Sequence, residues 1–243
     1  MKKIMTILGL FTLLIFTACT GETVEQKDDS LEVILDEEVF VLGHTDYPPF
    51  GMRDNGKSIG FDIDMADELT NRLGVSLETK YIDWDSKQFE LDNKNIDAIW
   101  NGFTITPARE KEVTFTEPYF NNHIVIMSLK GNSYESLEDL ENKKVGVELQ
   151  SSGQIAIEER KDINTSLEEM MKYSSVSEAL MALKTGGVDV IVVDENFARY
   201  VASEDSNQYE ISEARFNPEN YGIGLRKGSN KLAEKIDEII DEM

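Results

Sequence analysis

The sequence predicts an α/β fold built from two mainly parallel sheets, each covered by helices. Short apolar runs, which are typical of buried strands, alternate along the chain with segments of helical periodicity. This alternation occurs twice, before and after about Met127. A chain of 243 residues is long enough for two small domains or one large one.

The sequence pattern places strands and helices along the whole chain. Apolar runs predict strands over 39–42, 75–82 and 96–99, then over 124–129, 145–147, 188–193 and 221–225. Helices are predicted over 60–73, 86–93, 136–140, 152–160, 175–186 and 230–240. Gly74 is a natural C-terminal cap for the first of them, and Ser175 with Glu178 forms a capping box.

The segment 100–109 connects a buried strand to a predicted helix start at Thr106-Pro107. It carries Gly102, the hydroxyls of Thr104 and Thr106, backbone N–H groups expected to be free, and the guanidinium of Arg109. Such donors suit a planar anion such as a carboxylate, because arginine presents a fixed fork of N–H groups. The alternative is an ordinary connection whose arginine pairs on the surface with Glu110 or Glu112.

The motif Asn-Gly-Phe-Thr-Ile-Thr-Pro-Ala-Arg over 101–109, followed by Phe-Thr-Glu-Pro-Tyr over 115–119, resembles the signature of amino-acid-binding proteins of ABC importers. The similarity runs from about Val39 to the C-terminus. It implies the type II periplasmic-binding-protein-like fold of family 3 extracellular solute-binding proteins. In that fold two lobes, each with a five-stranded sheet, are joined by two crossovers and close on a ligand between them.

This resemblance places the lobes in the sequence. Lobe 1 is expected to comprise 39–126 and 223–243, and lobe 2 to comprise 127–222. The crossovers are expected near Asn122–Met127 and near Asn220–Gly224.

The resemblance also implies a site for the ligand's α-carboxylate. In the family, the positions of Gly102, Thr104 and Arg109 hold this group from lobe 1. Ser151 and Ser152 begin a helix after a strand, where N–H groups and the helix dipole favour anions, and they would complete the site from lobe 2. The alternative role for Ser152 is a simple helix N-cap.

Asp194 ends the apolar run 188–193, and ligands of open α/β sheets bind at the carboxyl ends of strands. The family's Asp at this position pairs with the ligand's α-ammonium. The alternative is an N-cap for the helix that begins at Glu195.

Tyr47 and Trp84 match family positions whose rings enclose the ligand side chain. Tyr47 could instead pack beside its neighbouring prolines. An Asp often found three residues before this tyrosine is replaced by His44, with Asp46 nearby, so the side-chain pocket departs from the family pattern here. Asn101 stands where small residues are frequent, so it would narrow the cleft or contact the ligand.

The N-terminus resembles a lipoprotein leader. Residues 1–18 combine two lysines with an apolar run that is too short for a comfortable membrane span, and Cys19 follows directly. The resemblance to a lipobox implies lipidation of Cys19, and residues 19–38 are expected to form an acidic, solvated tether. The alternative is a plain secretory signal with an incidental cysteine.

Composition excludes several functions. With 24 basic and 47 acidic residues the net charge is −23, which disfavours binding to nucleic acid. One cysteine excludes an intramolecular disulfide, and two distant histidines predict no metal site. No motif for a cofactor is present.

These observations favour a monomeric, lipid-anchored protein on the extracytoplasmic face of the cell membrane. It would bind a free L-amino acid, polar or cationic, and deliver it to an ABC permease. The alternative is an enzyme resembling cyclohexadienyl dehydratases, in which Asp83, Glu90 or Glu148 would serve as general acid.

Overall fold

The computed structural model describes residues 27–205 and 207–243. The strands are β1 (Val39–His44), β2 (Met52–Asp54), β3 (Lys57–Ile59), β4 (Ser76–Tyr81), β5 (Ala98–Ile99), β6 (Val113–Phe115), β7 (Phe120–Leu129), β8 (Lys144–Glu148), β9 (Glu169–Tyr173), β10 (Val190–Asp194), β11 (Tyr209–Tyr221) and β12 (Gly224–Arg226). The α-helices are α1 (Ser30–Glu37), α2 (Phe61–Leu73), α3 (Lys87–Asp92), α4 (Arg109–Glu112), α5 (Ser152–Glu159), α6 (Lys161–Ser166), α7 (Val176–Thr185), α8 (Glu195–Glu204) and α9 (Asn230–Asp241). Short 3₁₀ turns cover Trp84–Ser86 and Leu137–Leu140.

Two five-stranded sheets form the two lobes, in the orders β4-β1-β5-β12-β6 and β11-β7-β10-β8-β9. In the first sheet only β12 runs against the other strands, and in the second only β7 does. The prediction of two mainly parallel sheets is confirmed. Because parallel strands end on the same edge, each sheet presents its carboxyl ends to the gap between the lobes.

The lobe boundary differs from the predicted one at its first crossing. β7 pairs with β11 from its first residue, Phe120, so the predicted boundary at 126/127 falls inside a strand of the second sheet. The chain changes sheets at 116–119 and again at 222–223. The polar residues Asn121, Asn122 and His123 conceal the start of β7, since the apolar run begins only at Ile124.

The prediction of a solvated tether over 19–38 is wrong for the part that the structure describes. Residues 30–37 form α1, and Ile34 is fully buried in a core cluster with Leu232 and Ile236 of α9. Leu31 and Ile34 lie three apart and therefore share a helix face, a periodicity that the acidic composition concealed. Cys19 and the predicted leader lie outside the described residues.

We expect Ile34→Ala to lower the free energy of unfolding by about 2–5 kcal/mol, because it leaves a cavity in a fully buried site. Leu35→Ala is the matched control, since Leu35 is 43% exposed on the same helix. Denaturant melts of both variants test the prediction. Equal stability of the two would mean that α1 contributes no core contact.

Among residues 27–205 and 207–243, no helix combines the length and apolar character that crossing a membrane requires.

Candidate ligand site between the lobes

A narrow cavity of about 10 Å³, with room for about one water molecule, lies between the two sheets. It is lined from lobe 1 by Thr45, Tyr47, Trp84, Asn101 and Gly102, and from lobe 2 by Glu148, Ser151, Ser152 and Asp194. Seven of the nine predicted site residues are in this lining.

The other two predicted residues, Thr104 and Arg109, lie directly behind the cavity wall. The Thr104 hydroxyl is 2.8 Å from the Ser152 hydroxyl across the interlobe gap. Arg109 donates from Nη1 to the Thr104 carbonyl at 2.9 Å. The structure therefore brings both residues to the site without exposing them in its lining.

The guanidinium of Arg109 is buried and makes no ion pair among the described residues. Besides the Thr104 carbonyl it reaches the carbonyl of Gln150 in lobe 2, at 3.0 Å from Nη2. Burial lowers the pKa of Arg109 to about 10, which keeps it charged at neutral pH. The alternative of a surface pair with Glu110 or Glu112 is not what the structure shows. Within the part of the chain that the structure describes, two of its five N–H donors have partners, which leaves three.

Gly102 allows the turn of this loop but does not offer a free backbone N–H to a ligand. Its φ of 61° lies in the left-handed region, and an added Cβ would meet the Tyr221 ring at 3.2 Å. Its N–H is already donated to Asp62 at 2.8 Å, which corrects the expectation that this backbone group is available. Asp62 is buried at the start of α2 and also accepts the Tyr119 hydroxyl at 2.9 Å, so it fixes the loop from behind.

Ser151 and Ser152 of lobe 2 have different roles. Ser151 caps α5, its Oγ accepting the Gln154 N–H at 3.2 Å, which leaves the Ser152 hydroxyl free to meet Thr104. Gly153 allows the close approach of α5 to β10, because a Cβ there would lie 2.3 Å from the Val192 carbonyl oxygen. The helix start is thereby held against the cleft.

Asp194 is 4% exposed and accepts three donors: the hydroxyls of Tyr47 and Tyr221, and the Asn122 amide at 2.6 Å. It occupies the N-cap position of α8 but makes no side-chain capping bond. Its carboxylate therefore serves the cleft rather than the helix. Burial raises its pKa, and the hydroxyls of Tyr221 and Tyr47 oppose this by stabilising the charged form.

A second carboxyl group lies beside Asp194. Glu219 of β11 accepts from the Asn122 amide at 3.3 Å and from the Thr104 hydroxyl at 3.2 Å. Burial and the neighbouring Asp194 raise the pKa of Glu219 to about 8. The group is thus mostly protonated at neutral pH, which limits the negative charge around Asp194.

The rings of Tyr47 and Trp84, which line the cavity, pack against other aromatic rings behind them. The Tyr47 ring stacks on Phe197 of lobe 2 at 5.0 Å, and the Trp84 ring meets the edge of Phe103 at 5.6 Å. Asn101 accepts the Thr45 N–H at 2.7 Å and so positions the loop that carries Tyr47. These contacts place both rings in the wall of one cavity.

His44 and Asp46 do not replace the acid that is often found before this tyrosine. His44 is buried against Ser58, with Nε2 2.7 Å from its hydroxyl, and burial lowers its pKa. Asp46 pairs with Arg53 at 2.8 Å on the surface. Neither residue lines the cavity.

The structure also places at this site residues that the sequence did not predict to bind a ligand: Thr45, Lys87, Asn122, Glu148, Gln150, Glu219 and Tyr221. Lys87 is buried and donates to the Gln150 side chain across the gap at 3.2 Å. Only Glu148 carried a usable signal, because it ends an apolar strand as Asp194 does. The hydroxyl and amide neighbours of Asp194 come from distant segments that no local pattern connects.

Comparison with known proteins agrees with this geometry. Residues 39–243 match the bacterial extracellular solute-binding proteins, family 3. The chain is 31% identical to the ABC transporter glutamine-binding protein GlnH of Bacillus subtilis, over 100% of this chain and 93% of that protein. It is 31% identical to the L-cystine-binding protein TcyJ of Escherichia coli, over 81% and 74%.

Solved structures support the same assignment. Holo ArgBP from T. maritima superposes with a TM-score of 0.79 at 32% identity, covering 87% of this chain and 92% of that one. The type II periplasmic-binding-protein fold is thus confirmed. The chain belongs to the family 3 bacterial extracellular solute-binding proteins.

Proposed function

We propose that this protein is the extracytoplasmic receptor of an ABC importer and captures an L-amino acid, polar or cationic, between its lobes. One observation carries the proposal. Arg109, a buried cation with no ion-pair partner among the described residues, lies on the lobe 1 side of the cavity. A buried carboxylate, Asp194, lies on the lobe 2 side. A zwitterionic amino acid offers the complementary charge to each.

Closure of the lobes is part of this function. Hydrogen bonds cross the gap at the cavity from Tyr47 to Asp194, between Thr104 and Ser152, and from Arg109 to the Gln150 carbonyl. Lys87 and Thr104 add further bonds, to the Gln150 side chain and to Glu219. A ligand that engages Arg109 and Asp194 together stabilises the closed arrangement over the open one, because it contacts both lobes only when they are closed. Catalysis is not required.

The relatives bind chemically different amino acids by their names, so a screen is needed. Thermal-shift measurements against the common L-amino acids and L-cystine, followed by calorimetry, test the proposal. We expect at least one amino acid to raise the melting temperature in a concentration-dependent way. No shift and no heat with any of them would refute amino-acid binding.

We further propose that Cys19 is lipidated and anchors the protein to the membrane. Its position at the end of the apolar run supports this, and a diacylglyceryl group supplies the two chains that stable anchoring requires. We expect Cys19→Ser to move the protein from the membrane fraction to the soluble fraction or the medium. Equal membrane retention of the variant would contradict the assignment.

A second candidate, the dehydratase-like enzyme, is favoured by one observation. Glu148 lines the cavity and burial raises its pKa to about 7, as a general acid requires. The other two predicted acids, Asp83 and Glu90, do not line it, and Glu90 pairs with Lys80 at 2.8 Å. Incubation with prephenate-like cyclic acids and analysis for product separates the two functions.

A further inference from the structure

We propose that Glu148 selects the ligand by its side chain and favours an amino acid that carries a cationic nitrogen group there, such as guanidinium or ammonium. This inference rests on the proposed function, because it assigns the α-carboxylate and α-ammonium of the ligand to Arg109 and Asp194. The inference goes further by naming Glu148 as the residue that distinguishes one amino-acid side chain from another.

The position of Glu148 makes this contact possible. It is the last residue of β8, is 7% exposed and lines the interlobe cavity. It also lines a second cavity, likewise of about 10 Å³, that extends into lobe 2 between β8, β10 and α7. The lining of this second cavity is otherwise largely apolar: Gly146, Val147, Val176, Ala179, Ile191, Val192 and Val193. The two cavities share Tyr47, Glu148, Ser151 and Asp194. An apolar stem with a charged end would therefore reach Glu148.

Unused acceptor capacity distinguishes Glu148 from Asp194, the other carboxylate in the lining. Asp194 accepts hydrogen bonds from three donors of the protein, so its carboxylate has little acceptor capacity left beyond what one ammonium group requires. Within the part of the chain that the structure describes, Glu148 accepts one hydrogen bond, from the Val176 N–H at 3.1 Å to Oε1. A buried carboxylate with a single donor is costly unless a further donor arrives, and a cationic side chain supplies donors and charge together.

The charges around Glu148 are compatible with a bound cation. Lys87 approaches from α3, but its ammonium donates to the Trp84 carbonyl at 3.0 Å and to the Gln150 side chain, and it does not line the cavity. Asp194 and Asp85 add negative charge near Glu148. Tyr47, which lines both cavities together with Glu148 and Asp194, is a neutral phenol because burial raises its pKa. The positive charge of Lys87 also acts on Glu148, but only Glu148 and Asp194 bring charged groups to the cavity lining among the described residues.

Protonation of Glu148 supplies a second measurable consequence. Burial raises its pKa to about 7, so at lower pH the group is protonated and neutral. A cationic side chain favours the ionised form of Glu148, so binding of such a ligand at low pH must release the proton of the Glu148 carboxyl group. The affinity for this ligand should therefore fall as the pH falls below 7. Binding of an uncharged analogue does not require Glu148 to lose its proton.

L-Arginine and L-citrulline provide a matched pair, because they have nearly the same shape and differ in charge. We expect the wild-type protein at pH 8 to bind arginine at least about 100-fold more tightly than citrulline. Glu148→Gln should reduce this ratio to less than about tenfold, through loss of arginine affinity. Asp85→Asn is the matched control: it removes an exposed neighbouring charge outside the lining and should keep the ratio within about threefold.

The same pair isolates the pH effect. From pH 7 to pH 6 the arginine-to-citrulline ratio should fall by up to about tenfold in wild type and stay constant in Glu148→Gln. Other groups that titrate in this range, such as Glu219 and Lys87, act on both ligands and largely cancel in the ratio. Calorimetry in two buffers of different ionisation enthalpy should detect proton release with arginine at pH 6.

The outcomes separate this inference from the proposed function. If neither compound nor any amino acid in the screen binds, the proposed function fails. If amino acids bind but wild type does not prefer arginine to citrulline, or Glu148→Gln keeps the wild-type ratio, only the role of Glu148 is refuted. Circular dichroism and a glutamine or cystine titration show whether the variant is folded and competent to bind.

Discussion

Arg109→Ala is expected to abolish measurable amino-acid binding while the protein stays folded. The guanidinium is buried without an ion-pair partner among the described residues, and it retains three N–H donors beyond those given to the carbonyls of Thr104 and Gln150. Removing it would leave the ligand's carboxylate buried and unpaired, at a cost of about 3–5 kcal/mol. Calorimetry with the tightest ligand of the screen measures this loss.

Arg72→Ala is a suitable control for Arg109→Ala. Arg72 is on the outer face of α2, where it pairs with Glu68 at 2.6 Å, and it is far in the chain from the motif at 101–109. This variant should bind as wild type does. An Arg109→Ala affinity within threefold of wild type would remove Arg109 from the carboxylate site.

Much of the site was predictable because its residues obey local rules. Asp194 ends an apolar strand, Ser151 and Ser152 begin a helix after another, and Arg109 follows a strand-to-helix connection. The carboxyl ends of parallel strands meet at one edge of a sheet, so these local positions converge in space. The alternating strand and helix pattern predicts the two sheets for the same reason.

What could not be predicted depends on contacts between distant segments. The N–H of Gly102 is lost to Asp62, forty positions earlier in the chain, and Asp194 is surrounded by Tyr47, Asn122 and Tyr221. Similarly, α1 was masked by its acidic residues, because only the presence of α9 shows why Ile34 must be buried. Composition describes the surface of such a helix and not its packed face.

Asp194→Asn is expected to lower the affinity for an amino acid by orders of magnitude, about 100-fold or more. The substitution keeps the shape but removes the charge that would face the α-ammonium. The hydroxyls of Tyr47 and Tyr221 can rotate to suit an amide, so the loss should concern the ligand more than the fold. Asp189→Asn, at the other end of the same apolar strand, is the control and should bind normally.

The deaminated analogue of the best ligand tests the same pairing from the other side. It keeps the carboxylate for Arg109 in lobe 1 but offers no cation to Asp194 in lobe 2, so it has little preference for the closed arrangement. Wild type should therefore bind it far more weakly than the amino acid, while Asp194→Asn should discriminate little between the two. If wild type holds both compounds equally, or Asp194→Asn binds the amino acid unchanged, Asp194 does not receive the ammonium. The dehydratase-like alternative, whose substrates are carboxylic acids, would then be the stronger explanation of the cavity.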